Sequence, residues 1–179
     1  MNFLAAAVAT FLLATSTPAW SQEVLAVEIG SVGVVQKTGP DGPELPPEPG
    51  NLVGSSYQKG DDFTHLGSDV DAHFCLSFGF RVRMPNLPPP LTMRTTIEIE
   101  HPLWTRPDGL KGTRERFPSV LSSQWGYTGY SLDESWTMVP GTWRFTVYLD
   151  DRVLARQSFE LTVEPGQVFP AGGCGAPTS

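Results

Sequence analysis

Hydrophobic and polar residues alternate with period two along much of this chain, the pattern of strands that bury one face. The clearest run is His73 to Arg83 (HFCLSFGFRVR), in which Phe74, Leu76, Phe78, Phe80 and Val82 are apolar. The odd positions carry His73, Cys75, Ser77, Gly79, Arg81 and Arg83. This predicts a half-buried strand of an antiparallel sheet, with His73 and Cys75 on one face. Met84-Pro85-Asn86-Leu87-Pro88-Pro89-Pro90 ends it, and a second strand is expected from Leu91 to Glu100. There Thr96, Glu98 and Glu100 oppose Ile97 and Ile99. Arg81 and Arg83 are expected to face Glu98 and Glu100 across a ladder, in cross-strand pairs worth ~0.2–1 kcal/mol each.

The same pattern places further elements. Residues 24–36 (VLAVEIGSVGVVQ) read as a strand with Leu25, Val27 and Ile29 on one face and Glu28 on the other. Residues 112–121 are extended, and Gly126 to Leu132 are aromatic and punctuated by glycine. Arg106-Pro107-Asp108-Gly109 reads as a turn, proline presetting φ and glycine permitting the left-handed region. The strongest unit is a hairpin. Trp143, Phe145, Val147 and Leu149 share one face, Asp150-Asp151-Arg152 turns the chain, and Val153, Ala155, Phe159, Leu161 and Val163 return, interrupted by Gln157. Residues 38–54 hold five prolines and four glycines, which predicts a long exposed loop. Residues 57–71 read as an irregular or edge segment. No window carries a 3.6-residue period capped at both ends, so the expected class is all-β, an antiparallel sandwich of about 7–8 strands.

Composition narrows the picture. Of 179 residues, 18 are Gly and 17 Pro, only 17% are charged and 40% are hydrophobic. That excludes a coiled coil and argues against a disordered chain. Phe3 to Leu13 is an uncharged apolar run followed by Ala19-Trp20-Ser21, the layout of a signal peptide over residues 1–21 and too short to span a bilayer. The expected mature chain is a single domain over 22–166 with a flexible tail over 167–179, exported to the periplasm or secreted, with no membrane span after cleavage. The net charge of −7 disfavours nucleic acid, which needs a basic patch. In an oxidising compartment Cys75 and Cys174 are expected to pair, closing a loop of about a hundred residues worth ~4–5 kcal/mol in the chain-entropy model.

Gly129-Tyr130-Ser131-Leu132-Asp133-Glu134-Ser135-Trp136, Val139-Pro140-Gly141-Thr142-Trp143, Leu154-Ala155 and Ser158-Phe159 resemble a small bacterial family defined only as a domain of unknown function (DUF3859-like). Phe78-Gly79-Phe80 and His101-Pro102 match its Phe-Gly strand and the His-Pro pair after the next strand. The resemblance covers about residues 74 to 163. It implies an exported or envelope-associated β-domain and lends no activity. A Pro-Gly-Thr-Trp hairpin also ends many immunoglobulin-like bacterial domains, so the expected sandwich is immunoglobulin-like, with long Pro/Gly-rich loops.

Candidate chemistry is sparse. The histidines are His65, His73 and His101, and their spacing suits no zinc site. A His73–Cys75 nucleophile pair lacks an enclosing site. No Gly-x-Ser-x-Gly elbow occurs. Asp61, Asp62, Asp69 and Asp71 fit no calcium loop. No catalytic residue, metal or cofactor is therefore expected. The aromatic set is more informative: Trp104, Trp125, Tyr127, Tyr130 and Trp136 are the candidate binding residues, with Trp104 and Trp125 in loop-like polar surroundings. The reading is a non-catalytic binding or assembly module whose partner is an envelope protein or polysaccharide. The alternatives are an envelope-polymer hydrolase using Asp133 or Glu134 with His101, and a purely structural accessory domain; for Trp104 and Trp125 the alternative to an exposed binding role is that they cap the ends of the sandwich core.

Overall fold

A computed structural model describes residues 26–36, 42–43, 45–56 and 62–167. The expected signal peptide, Cys174 and nearly all of the tail lie outside them. Nine strands are described: β1 (Glu28–Gln36), β2 (Asp62–Leu66), β3 (Asp69–Ala72), β4 (Ser77–Arg83), β5 (Met93–Thr105), β6 (Lys111–Leu121), β7 (Gly126–Ser131), β8 (Gly141–Leu149) and β9 (Arg152–Val163). A 3-10 turn at Ser135–Thr137 precedes β8. The strands form a four-stranded sheet in the order β2-β1-β4-β7 and a five-stranded sheet in the order β3-β9-β8-β5-β6. Pairing is antiparallel except between β3 and β9. The expected all-β sandwich is what forms.

The core sits where the predicted alternation puts it. Phe78, Phe80 and Val82 of β4 face Trp143, Phe145 and Val147 of β8 and Phe159 of β9, all at most 1% exposed. Phe78 meets Phe159 at 5.1 Å and 71°, and Phe145 at 5.8 Å and 85°. Such edge-to-face pairs add ~0.5–1.5 kcal/mol each beyond area burial. The β8–β9 hairpin runs as read, with Trp143 opposite Phe159 and Asp150 at the turn with φ 50. The 106–109 turn also forms, closed by Arg106 N–H to Leu110 O at 2.9 Å, with Gly109 at φ 89.

Two expectations are corrected. The proline-rich connection after β4 does not make a hairpin: it buries Met84 and Leu87 and carries the chain to the other sheet. Arg83 therefore pairs with Glu28 of β1 at 2.7 Å. Glu98 takes Arg116 at 3.1 Å and Arg114 at 3.8 Å, both from β6, and Glu100 takes Arg144 of β8 at 3.1 Å. Second, the strand begins at Ser77, because Cys75 adopts a left-handed φ of 71 in the preceding turn. His73 and Cys75 thus share no strand face. No free cysteine occurs among the described residues. The segment read as irregular or edge supplies two edges, β2 rimming one sheet and β3 the other.

Candidate functional site

The expected aromatic cluster splits in two. Trp104 lies in β5 rather than in a loop, and it is 0% exposed. The cause is a register shift between Glu100 and Trp104 against β6. A bulge breaks strict alternation, so His101 and Trp104, three residues apart, both turn inward. Their rings stack at 3.4 Å and 16°. Trp104 also meets Trp143 at 5.3 Å, Tyr130 at 5.5 Å and Trp136 at 5.6 Å. Tyr130 is buried, which with the nearby Asp133 carboxylate pushes its phenol well above the ordinary range. Trp136 is half-buried and its indole N–H donates to Glu134 at 3.1 Å. Trp104, Tyr130 and Trp136 therefore cap the core rather than present a surface.

Beneath this layer lies a polar pair that sequence reading did not single out. His101 Nε2 is 3.6 Å from Glu115 Oε1, and both side chains are fully buried. His101 Nδ1 is 2.8 Å from the Pro102 carbonyl, which can only accept, so Nδ1 carries a proton. Glu115 Oε2 accepts the Leu52 N–H at 2.6 Å and the Val53 N–H at 3.3 Å. Arg106 Nη1 donates to Leu52 O at 3.2 Å. The proline-rich segment is thus only partly the exposed loop expected: Leu52 is 8% exposed and joins the core. The signal available in the sequence was parity, since Thr113, Glu115 and Phe117 share one face of β6.

The exposed aromatic, Trp125, lies elsewhere, beside the half-buried Tyr127 and Phe63. On β4, Arg81 and Arg83 alternate with the buried Phe80 and Val82, so they stand on the outer face of the four-stranded sheet. The Arg83 guanidinium covers the Trp125 ring at 4.3 Å from its centroid while its Nε donates to Glu28 at 2.8 Å. Trp125 is 38% exposed and lies on Gly30, where a Cβ would come within 2.9 Å of the ring. Tyr127, opposite Arg81 in the ladder, lies across Gly79 and Gly129; a Cβ there would approach its ring to 2.8 and 2.3 Å. Phe63 of β2 meets Tyr127 edge-on at 6.3 Å, and Arg81 stands 5.9 Å from the Phe63 centroid. Burial pushes the Tyr127 phenol up. Glycines that let rings lie flat, with arginines clamped on them, make a preorganised patch of the residue types that dominate binding hot spots.

The hydrolase set does not assemble at a surface. The His101 ring has no exposed area and faces Glu115, whereas Asp133 and Glu134 are exposed beside the 3-10 turn. Asp69 and Asp71 lie in β3, and Asp71 accepts from the Thr162 hydroxyl at 2.7 Å. No group of three metal-ligating side chains occurs among the described residues. No helix among them is long and apolar enough to cross a membrane.

Residues 27–161 match the family described as Domain of unknown function (DUF3859). The chain belongs to that family. No curated protein matches it. Among solved structures it is similar to an immunoglobulin-like protein from Pseudomonas aeruginosa, at 20% identity and a TM-score of 0.55, over 76% of this chain and 96% of that one. At that identity the likeness is one of fold. This DUF3859 domain is accordingly an immunoglobulin-like sandwich.

Proposed function

We propose that this DUF3859 domain is an exported, non-catalytic module of the bacterial envelope that binds a protein partner through the outer face of its four-stranded sheet. One observation carries the reading: Trp125 is held flat on Gly30 under Arg83, exposed, with Tyr127, Phe63 and Arg81 beside it. Flat aromatics and an immobilised arginine lose little side-chain entropy on binding, which is what makes such residues effective anchors. Export rests on the apolar Phe3–Leu13 run and the Ala19-Trp20-Ser21 site. The Cys75–Cys174 disulfide belongs to the same proposal and suits an oxidising compartment.

The test is site-specific photo-crosslinking in the envelope from Thr64, on β2 beside this face, and from Arg156, on β9 of the other sheet. The expected result is one discrete adduct from Thr64, lost in Trp125→Ala and in Arg83→Ala while each variant stays folded. An adduct unchanged by both substitutions, or one formed equally from Arg156, refutes this surface.

A further inference from the structure

Strand β6 pairs with β5 on one side only, so backbone groups on its other side need another partner. At Arg116 that partner is not a strand. The Asn51 side-chain amide donates to Arg116 O at 2.6 Å, and its Oδ1 accepts the Arg116 N–H at 2.8 Å. These are the two bonds of one antiparallel bridge, made by a side chain in place of a backbone. Residues 45–55, a strap that includes Asn51, are otherwise secured by Glu115, by Arg106 and by Leu52, which packs against Gly112.

The strap is held by side chains alone. Among the described residues its backbone bonds join Leu45 to Ser55 and Asn51 N–H to Glu48 O, and none runs to β6. Pro46, Pro47 and Pro49 have no N–H to offer a ladder. It can therefore lift away without breaking a sheet hydrogen bond.

The edge beside it is charged. Lys111, Arg114 and Arg116 line the edge, in a chain whose net charge is −7. Arg114 and Arg116 are 62% and 52% exposed even while reaching Glu98. Beside the strap a groove of about 320 Å³ is lined by Gly50, Glu100, Thr113 and Arg114. Residues 42–56 carry Glu44 and Glu48 and no basic residue. At the far end Pro118 lacks an N–H, so an added strand must stop there.

We propose that the Gly112–Arg116 edge of β6 is a strand-accepting site for an extended acidic peptide segment of a partner protein, and that the strap occupies it in cis. Main-chain bonds supply the affinity of such strand addition, and the cationic edge selects acidic segments and makes binding salt-dependent. The site is on the other sheet from the Trp125 face and stands or falls separately from it.

The probe is a fluorescein-labelled peptide of residues 42–56, titrated by anisotropy against the full mature chain. Asn51→Ala in the protein removes the bridge and leaves the Leu52 anchor, so it keeps its fold by circular dichroism. The variant is expected to bind the peptide about tenfold more tightly than wild type, a change of about 1.4 kcal/mol. Binding weakens as salt rises, with Glu44 and Glu48 of the peptide changed to Gln, and with Arg114→Glu in the protein. The Arg116 amide exchanges faster in Asn51→Ala and slows again when the peptide is added. Equal peptide binding by both proteins, no binding by either, or self-association of Asn51→Ala without peptide binding overturns the proposal.

Discussion

Glu115→Ala is the sharpest probe of how the proline-rich segment is held. The substitution removes the acceptor for two backbone N–H groups, at 2.6 and 3.3 Å, and the group facing His101 Nε2 at 3.6 Å, within a fully buried pair. Leaving a buried polar group without its partner costs ~1–3 kcal/mol, and here the Leu52 and Val53 amides and the His101 ring are all left so. Release of the strap would let the Leu52 and Val53 amides reach water and recover part of that. It would also expose the Leu52 side chain, which forfeits ~1.5–3 kcal/mol of burial. The two adjustments roughly offset, leaving a net loss of about 3–4 kcal/mol. For a domain of this size that lowers the melting temperature by about 10 °C. Urea unfolding followed by tryptophan fluorescence reads it well, since Trp104 and Trp143 are both 0% exposed. Limited proteolysis should meanwhile cut within residues 45–55 sooner than in wild type. The apolar double variant His101→Phe with Glu115→Leu is expected to recover only the part of the loss that comes from the unpartnered His101 ring, because the Leu52 and Val53 amides lack their acceptor in both variants. A Glu115→Ala loss below about 1 kcal/mol, with the strap still protease-resistant, refutes the reasoning, since that is no more than an average substitution costs.

Trp104→Ala is expected to destabilise by ~3–5 kcal/mol as a core truncation, whereas Trp125→Ala should shift stability by less than ~1 kcal/mol; denaturant midpoints of the two variants check this order. Arg106, hydrogen-bonded to Asp108, lowers that carboxyl to about 2 from an ordinary 3.8. Its contribution to stability is present above the ordinary value and lost as pH falls through the folded one. Carbonyl NMR should show the Asp108 midpoint rising toward the ordinary value in Arg106→Ala. Of the four tyrosines, Tyr127 and Tyr130 have phenols raised by burial. The stability this lends is complete below the ordinary phenol range of ~10 and is lost as pH climbs above it. Phenolate absorbance for these two should therefore appear only together with unfolding, which Tyr127→Phe and Tyr130→Phe difference spectra resolve.

Local signals carried most of the fold. The β8–β9 hairpin follows from alternation alone, because Trp143 and Phe159 each sit in a period-two run and the turn is short. Gly109 marks its turn through the φ it permits. Sheet assignment was less accessible, since it depends on pairings distant in sequence. Arg83 could meet Glu98 only if β4 and β5 were neighbours, and the Met84–Pro90 connection sends them to different sheets. Whether Trp104 caps the core was not legible, because the alternation runs out at Glu100 and the bulge that follows turns His101 and Trp104, three residues apart, to one face. The strap was hidden by its prolines, which correctly ruled out a strand but say nothing about docking. Its anchor, Glu115, lies 63 residues from Leu52, and in a charged run only its parity with Phe117 hints at burial. Trp125 was legible as a candidate binding aromatic, though not whether it is exposed or caps the core. Its clamp was not, because Gly30, Arg83 and Trp125 come from three separate segments.

Hydrogen exchange of the purified mature domain with its crosslinked partner tests the binding surface most directly. The account predicts protection confined to the four-stranded sheet, at amides of β1, β4 and β7 around Gly30, Arg81 and Tyr127, and abolished by Trp125→Ala. Protection instead over β5, β8 and β9, or around the 3-10 turn at Trp136, would contradict it.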